Sequence, residues 1–206
     1  MTYTMMKFCR HKPTQVKKID GIAYSGASQS GALDFDGDLM VNFTRVSDIP
    51  SVMNIPELAE FVQINFEEIM VPWPDFGVPH MDPGFWQALH QYVFSKNFRS
   101  VCFHCEAGHG RTGTALSAML IAMSGFSACD AVGHVRSIYC DEAVETWEQS
   151  IYLQELDEYY NGREIKEEDC PVPSSVIAEQ RRKEEEERKN KEGKFGKGIL
   201  LRHWSG

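Results

Sequence analysis

The chain has 206 residues, of which 42% are hydrophobic and 25% charged, and its formal net charge is -9. This length and composition suit one globular domain with an appendage and exclude a small scaffold that depends on disulfides or metals for its core. The acidic balance argues against nucleic acid or an anionic membrane as partner, so any grip on phosphate must come from local geometry.

The first twenty residues are polar and basic and read as an N-terminal extension. Residues 21–25 suit a short strand, followed by a loop rich in Gly, Ser and Ala through Gly31. From Asp38 to Arg45, Leu39, Val41 and Phe43 alternate with more polar positions, the period of a strand. Residues 56–63 resemble a helix with Pro56 in its first turn, and 64–71 a further strand running into the loop VPWPDFGVP. An amphipathic helix is predicted over 83–97, with Phe85, Leu89, Tyr92 and Val93 on one face and Asp82 as cap.

Residues 100–104 form a short apolar strand, SVCFH, and a glycine-rich turn leads into a helix from Arg111 to about Ser124. Leu116, Met119, Leu120 and Met123 have core spacing there, and Gly125 ends the helix. Further helices are predicted over 127–139, capped by Ser127, and 145–160. Beyond residue 162 the chain turns highly charged, and 163–206 reads as a tail, either a solvated helix with Glu–Lys and Glu–Arg pairs or disordered chain. Its FGKGILLRHW segment mixes basic and apolar residues, as a partner-contacting end does, although a solvated end is the plainer reading. Strands and helices alternate, which gives an α/β layered fold over 21–162.

The six cysteines (Cys9, Cys102, Cys105, Cys129, Cys140 and Cys170) show no paired framework spacing. The N-terminus lacks the apolar stretch of a secretory signal, and no apolar run approaches the ~20 residues of a membrane span. Reduced thiols in a cytoplasmic protein are therefore expected.

Chemistry concentrates in His104-Cys105-Glu106-Ala107-Gly108-His109-Gly110-Arg111-Thr112-Gly113. A thiol must ionise to act as a nucleophile, and a helix N-terminus with a neighbouring cation favours the thiolate. The turn from Glu106 to Gly110 can gather successive backbone N–H groups into an anion-binding concavity, reinforced by the positive end of the following helix. Arg111 adds a planar fork that grips two phosphate oxygens. Thr112, beside the cysteine, can hydrogen-bond the sulfur as a leaving group, and His104 can orient the turn. His109 would add positive charge at the mouth, and Glu106 should point its carboxylate away.

Two other readings fit this segment less well. The Gly108–Gly113 run satisfies GxGxxG, but a helix follows where a dinucleotide fold needs a strand ending in an acid. Cys102, His104, Cys105 and His109 cluster without a second ligand pair at zinc spacing, so neither metal nor cofactor is expected there. An oxidative Cys102–Cys105 bridge is disfavoured, because positions so close on one strand rarely reach bridging geometry.

The segment HCEAGHGRTG resembles the HC-x5-R-[ST] signature of the protein tyrosine phosphatase superfamily, and WPDFGVP is similar to the acid-bearing loop of its phosphotyrosine-specific members. The resemblance covers roughly residues 20–160. It implies a mixed, mostly parallel central sheet flanked by helices on both faces, with a strand–phosphate loop–helix unit at its centre. It also implies Cys105 as nucleophile, Arg111 and the amides of 106–111 as phosphate ligands, Asp75 as general acid, and Trp73 as packing anchor of the acid loop. Gln149, in the late helix, matches the residue that positions the hydrolytic water. The chain is shorter than the phosphotyrosine-specific enzymes and has no counterpart of their KNRY segment, which suggests the compact dual-specificity architecture. The implied activity is hydrolysis of phosphotyrosine, with phosphoserine and phosphothreonine open beside it, in a phosphorylated protein through a phosphocysteine intermediate; an inactive phosphate-binding module is the lesser alternative, since Cys105, Arg111 and Asp75 are all present. An HCEAG start also occurs in phytase-like members, so inositol phosphates stay open beside phosphoinositides and RNA 5'-triphosphate ends. The absence of lysines from the turn argues against phosphoinositides.

Overall fold

A computed structural model describes residues 11–44, 67–164 and 171–200, the last helix with side chains through residue 189. The helix predicted over 56–63, together with Cys9, Cys170 and FGKGILLRHW, lies outside these residues or their described side chains.

Part of the extension, Thr14–Ile19, belongs to the sheet. Strand β1 (Thr14–Ile19) pairs antiparallel with β2 (Ile22–Ser28), with Ile19 opposite Ile22 across a two-residue Asp20-Gly21 turn. Both turn residues have positive φ, 50° and 85°, the conformation that Asp-Gly favours in tight hairpins. A register shift between Gln15 and Lys17 brings Val16 and Ile19, three positions apart, to the same buried side. That irregular spacing hides the strand from a search for strict alternation. The boundary placed at residue 20 thus falls inside a hairpin.

The short helix α1 (Gln29–Ala32) follows, then β3 (Leu39–Asn42), β4 (Glu67–Met70), α2 (Phe85–Ser95), β5 (Ser100–Cys105), α3 (Gly110–Ser124), α4 (Ala128–Ile138), α5 (Trp147–Asn161) and α6 (Ser174–Leu200). The sheet order is β1-β2-β5-β3-β4. β5 lies between β2 and β3, parallel to both, and β4 is parallel to β3, so the sheet is mixed and mostly parallel, as the resemblance implied.

Strand alternation divides the interior in two. Ile22, Tyr24, Leu39, Val41, Val101, Phe103 and Cys105 face the large core shared with α2 to α5. Ala27, Met40 and Cys102 face a smaller one with Ala32 of α1. Helices therefore lie on both faces, unequally among the described residues. In α2 the buried set is Trp86, Leu89, His90 and Val93, a face rotated from the predicted one. The rotation follows from polar tips finding partners: Trp86 Nε1 donates to Tyr152 Oη (2.8 Å), and His90 Nδ1 lies 2.8 Å from Tyr24 Oη. Ser127 and Thr146 cap α4 and α5 by accepting N–H bonds, and Gly125 ends α3 with a left-handed φ of 66°.

The tail begins as an exposed helix anchored at its root. Ser174 Oγ donates to the Glu142 carbonyl (2.9 Å), and Ser175 Oγ donates to that of Glu145 (2.6 Å). Lys183 and Lys189 pair with Glu179 and Glu185 one turn back, the favourable order for such pairs. No helix among the described residues is long and apolar enough to cross a membrane.

Candidate active site

β5 ends at Cys105, in the middle of the sheet, and α3 starts five residues later at Gly110. The intervening turn is drawn tight by backbone contacts. Gly108 has φ 88°, and a Cβ there would lie 2.8 Å from Tyr139 Oη and 2.9 Å from Ser28 N, so only glycine fits. Tyr139 Oη donates to the Gly108 carbonyl (2.7 Å), and Gln29 N donates to that of Glu106 (3.1 Å).

The Cys105 sulfur is 3% exposed and accepts from the Gly108 N–H (3.3 Å) and the Thr112 hydroxyl (3.2 Å). His109 precedes α3 without a side-chain cap, so no side chain of its own covers the helix's first amides. Arg111 is buried and fixed by the carbonyls of Phe43 and Trp73, both accepting from Nη1 at 3.3 Å. Its Nη2 lies 2.9 Å from Asp75 Oδ1, which joins the two loops across the cleft. The Asp75 side chain is 57% exposed.

The loop that carries Asp75 is held on two sides. Trp73 is buried against Phe43 and Trp86, and its Nε1 donates to the Gly77 carbonyl (2.8 Å). Thr146 Oγ1 donates to the Phe76 carbonyl (2.9 Å), and Gln149 Nε2 donates to that of Gly77 (3.3 Å). Phe76 takes φ 58°, a strained turn for an aromatic residue, and these contacts hold it. A cleft of about 520 Å³ opens between the loops, lined by Gln29, Thr44, Trp73, Pro74, Asp75, Glu106 and Arg111.

Cys105, Arg111, Thr112 and Asp75 thus converge, with Glu106, Ala107, Gly108, His109 and Gly110 forming the turn. Three expectations differ. Gln149 is fully buried, with its amide occupied by Gly77 and by the Glu145 N–H (2.8 Å), so it braces the loop instead of facing the cleft. His109 turns from the mouth toward Cys140, its Nδ1 3.1 Å from the sulfur. Glu106 is exposed and lines the cleft.

Sequence reasoning missed Glu145. Its carboxylate accepts from the Gly110 N–H and feels Asp75. Burial pushes its carboxyl above the ordinary range, and His109 and the Gly110 bond oppose this only in part. No local signal marks it: Glu145 precedes the Thr146 cap of α5 and reaches Gly110 only through the path of the chain there.

Cys102 is chemically distinct from Cys105. Burial on the opposite face pushes its thiol up to about 12, and both cysteines are free. Opposite faces also rule out their joining with His104 and His109 around one metal.

The protein-family model described as Protein-tyrosine phosphatase matches residues 59–172. Two uncharacterized proteins of Methanocaldococcus jannaschii are similar over 88 residues, 42% of this chain. One is 38% identical over 57% of its own length, the other 36% identical over 53%. The matched part of the chain spans a little over half the length of these curated relatives. Among solved structures, Tk-PTP in its active form superposes with a TM-score of 0.54 at 26% identity, over 71% of this chain and 97% of that one. A mouse putative dual specificity phosphatase gives 0.54 at 15% identity, over 78% and 96%, and shows the shared fold. The family match covers more than half of the sequence and includes both the turn from Cys105 to Arg111 and the loop that carries Asp75; the chain belongs to the protein-tyrosine phosphatase family.

Proposed function

We propose that this phosphatase hydrolyses phosphotyrosine, and also phosphoserine or phosphothreonine, in protein substrates through a phosphocysteine intermediate. The observation that carries the reading is the convergence of two donors on the Cys105 sulfur, with the Arg111 fork and Asp75 facing each other across the same cleft.

The substrate phosphate enters the turn, takes the Arg111 guanidinium and displaces Asp75 from it. Cys105 thiolate attacks phosphorus, an S–P bond forms, and the P–O bond to the leaving group breaks. Asp75 protonates that oxygen. Water then attacks the phosphocysteine, Asp75 takes its proton, and the sulfur leaves with the Thr112 hydroxyl bonded to it. Gln149 is a positioning residue in this scheme, fixing Gly77 and Glu145 where the water enters.

The cleft also bears on substrate class. Among the described residues its lining has one cation, Arg111, against Asp75 and Glu106. A single phosphate monoester suits that balance, whereas inositol polyphosphates, phosphoinositides and RNA triphosphate ends would face repulsion from the rim. A nucleophilic thiol at Cys105 and an unbridged Cys102 fit a reducing, cytoplasmic setting.

The test is turnover of an aryl phosphate and a phosphopeptide panel by wild type, Cys105→Ser and Asp75→Ala. Cys105→Ser should lose essentially all activity. Asp75→Ala should fall by roughly 10²–10⁴, and by less with leaving groups that need no proton. Equal rates in the three proteins would overturn the mechanism, and preferential turnover of inositol phosphates would overturn the substrate class.

A further inference from the structure

Outside the lining of the cleft, three side chains from separate parts of the chain meet. They are His11 from the segment before β1, His109 from the turn itself, and Cys140 just after α4. One ligand atom from each lies within 4.8 Å of the others. His109 Nδ1 is 3.1 Å from Cys140 Sγ and 3.6 Å from Glu142 Oε2.

His109 and Cys140 are buried, and His11 Nε2 is a buried nitrogen with no hydrogen-bond partner among the described residues. A buried polar atom without a partner is costly and calls for an explanation. The His11 backbone is pinned, its carbonyl accepting from Ser28 N (2.9 Å) and Ser28 Oγ (3.2 Å), so its position does not depend on the ring. The rings of His11 and His109 meet edge to face at 4.9 Å, and Tyr139 covers His11 at 4.9 Å.

We propose that His11, His109 and Cys140 bind one Zn²⁺ ion, with the Glu142 carboxylate as fourth ligand. Two imidazoles, a thiolate and a carboxylate are a donor set that zinc takes in tetrahedral geometry. Zn–N bonds near 2.0–2.1 Å and Zn–S bonds near 2.3 Å place tetrahedral ligand atoms roughly 3.3–3.6 Å apart. The His109 separations already lie close to that range; the three clustered ligand atoms need to close in by at most about 1.5 Å, and the exposed Glu142 carboxylate must swing toward them. Binding releases the Cys140 thiol proton to solvent, and the thiolate and carboxylate neutralise the ion.

The site would act on catalysis through position. Its central ligand, His109, belongs to the phosphate turn, and Tyr139, next to Cys140, holds the Gly108 carbonyl. Zinc would therefore clip the N-terminal segment and the end of α4 to the turn, holding it in its phosphate-binding shape.

The experiment uses the full untagged chain, stripped of metal with a chelator and titrated with Co²⁺ and then Zn²⁺. The readouts are the sulfur-to-cobalt absorption band, metal stoichiometry and thermal unfolding. Wild type and Cys105→Ser should each bind one equivalent and show the band, and bound metal should raise Tm. Cys140→Ser should lose the band. His11→Ala should bind at least about 10-fold more weakly, since even residues that only orient a ligand cost that much. His11→Ala alters a ring outside the sheet, which keeps the test available if Cys140→Ser folds poorly. Binding that persists unchanged in both variants, binding abolished by Cys105→Ser, or no stoichiometric binding by wild type would each overturn the site. None of these outcomes depends on phosphatase turnover.

Discussion

At Cys105 and Cys102 the same side-chain chemistry meets two environments. The Cys105 sulfur receives two hydrogen bonds at the start of a helix, whereas Cys102 sits among Ala27, Ala32 and Met40 with its thiol raised by burial. Brief alkylation at neutral pH followed by peptide mapping should label Cys105 and spare Cys102, and the two should label alike only if the turn is not formed. Gly108→Ala should abolish phosphate binding and cost more than about 1 kcal/mol of stability, because it combines a positive φ with contacts under 3 Å. Glu145 adds a pH effect. Its carboxyl titrates above the usual range, so as pH rises through that titration a negative charge appears beside Gly110 of the turn, within reach of Asp75, and phosphate affinity should fall. Measured from pH about 4 to 7, KM should rise with pH more steeply in wild type than in Glu145→Gln, and the two should converge at the acid end.

The strand–turn–helix unit is legible in the sequence because each part has a local cause: an apolar run, glycines that permit the turn, and a core-spaced helix from Arg111 onward. The edge hairpin is not. The register shift in β1 breaks the period of two, and the Asp20-Gly21 turn follows a basic stretch that carries no regular apolar alternation to flank it. Ile19 is buried there, so Ile19→Ala should lower unfolding free energy by about 2 kcal/mol in a denaturant titration. A neutral result would mean that β1 contributes no core. Gln149 shows a different limit. Its order in the chain suggests work at the cleft, but α5 turns it inward, and only the three-dimensional path of the 145–149 segment reveals that Glu145 lies nearer the turn.

Across the whole molecule, charge works against substrate capture, since a protein of net charge -9 must draw in a phosphate. Long-range attraction cannot supply that, so selectivity should come from what surrounds the phosphate. Phosphopeptides with basic flanks should show higher kcat/KM than acidic ones, and the difference should shrink as salt rises, since screening acts over roughly 10 Å at 0.1 M. Indifference to both flank and salt would show that the acidic rim plays no part in recognition. The Arg111–Asp75 ion pair brings this opposition down to a single contact. In the proposed mechanism the guanidinium already has a tenant, so an arriving oxyanion binds by eviction. The affinity of any inhibitor is then a contrast between two anions competing for one seat, and a compound that offers the displaced carboxylate a new donor gains on both sides of the exchange.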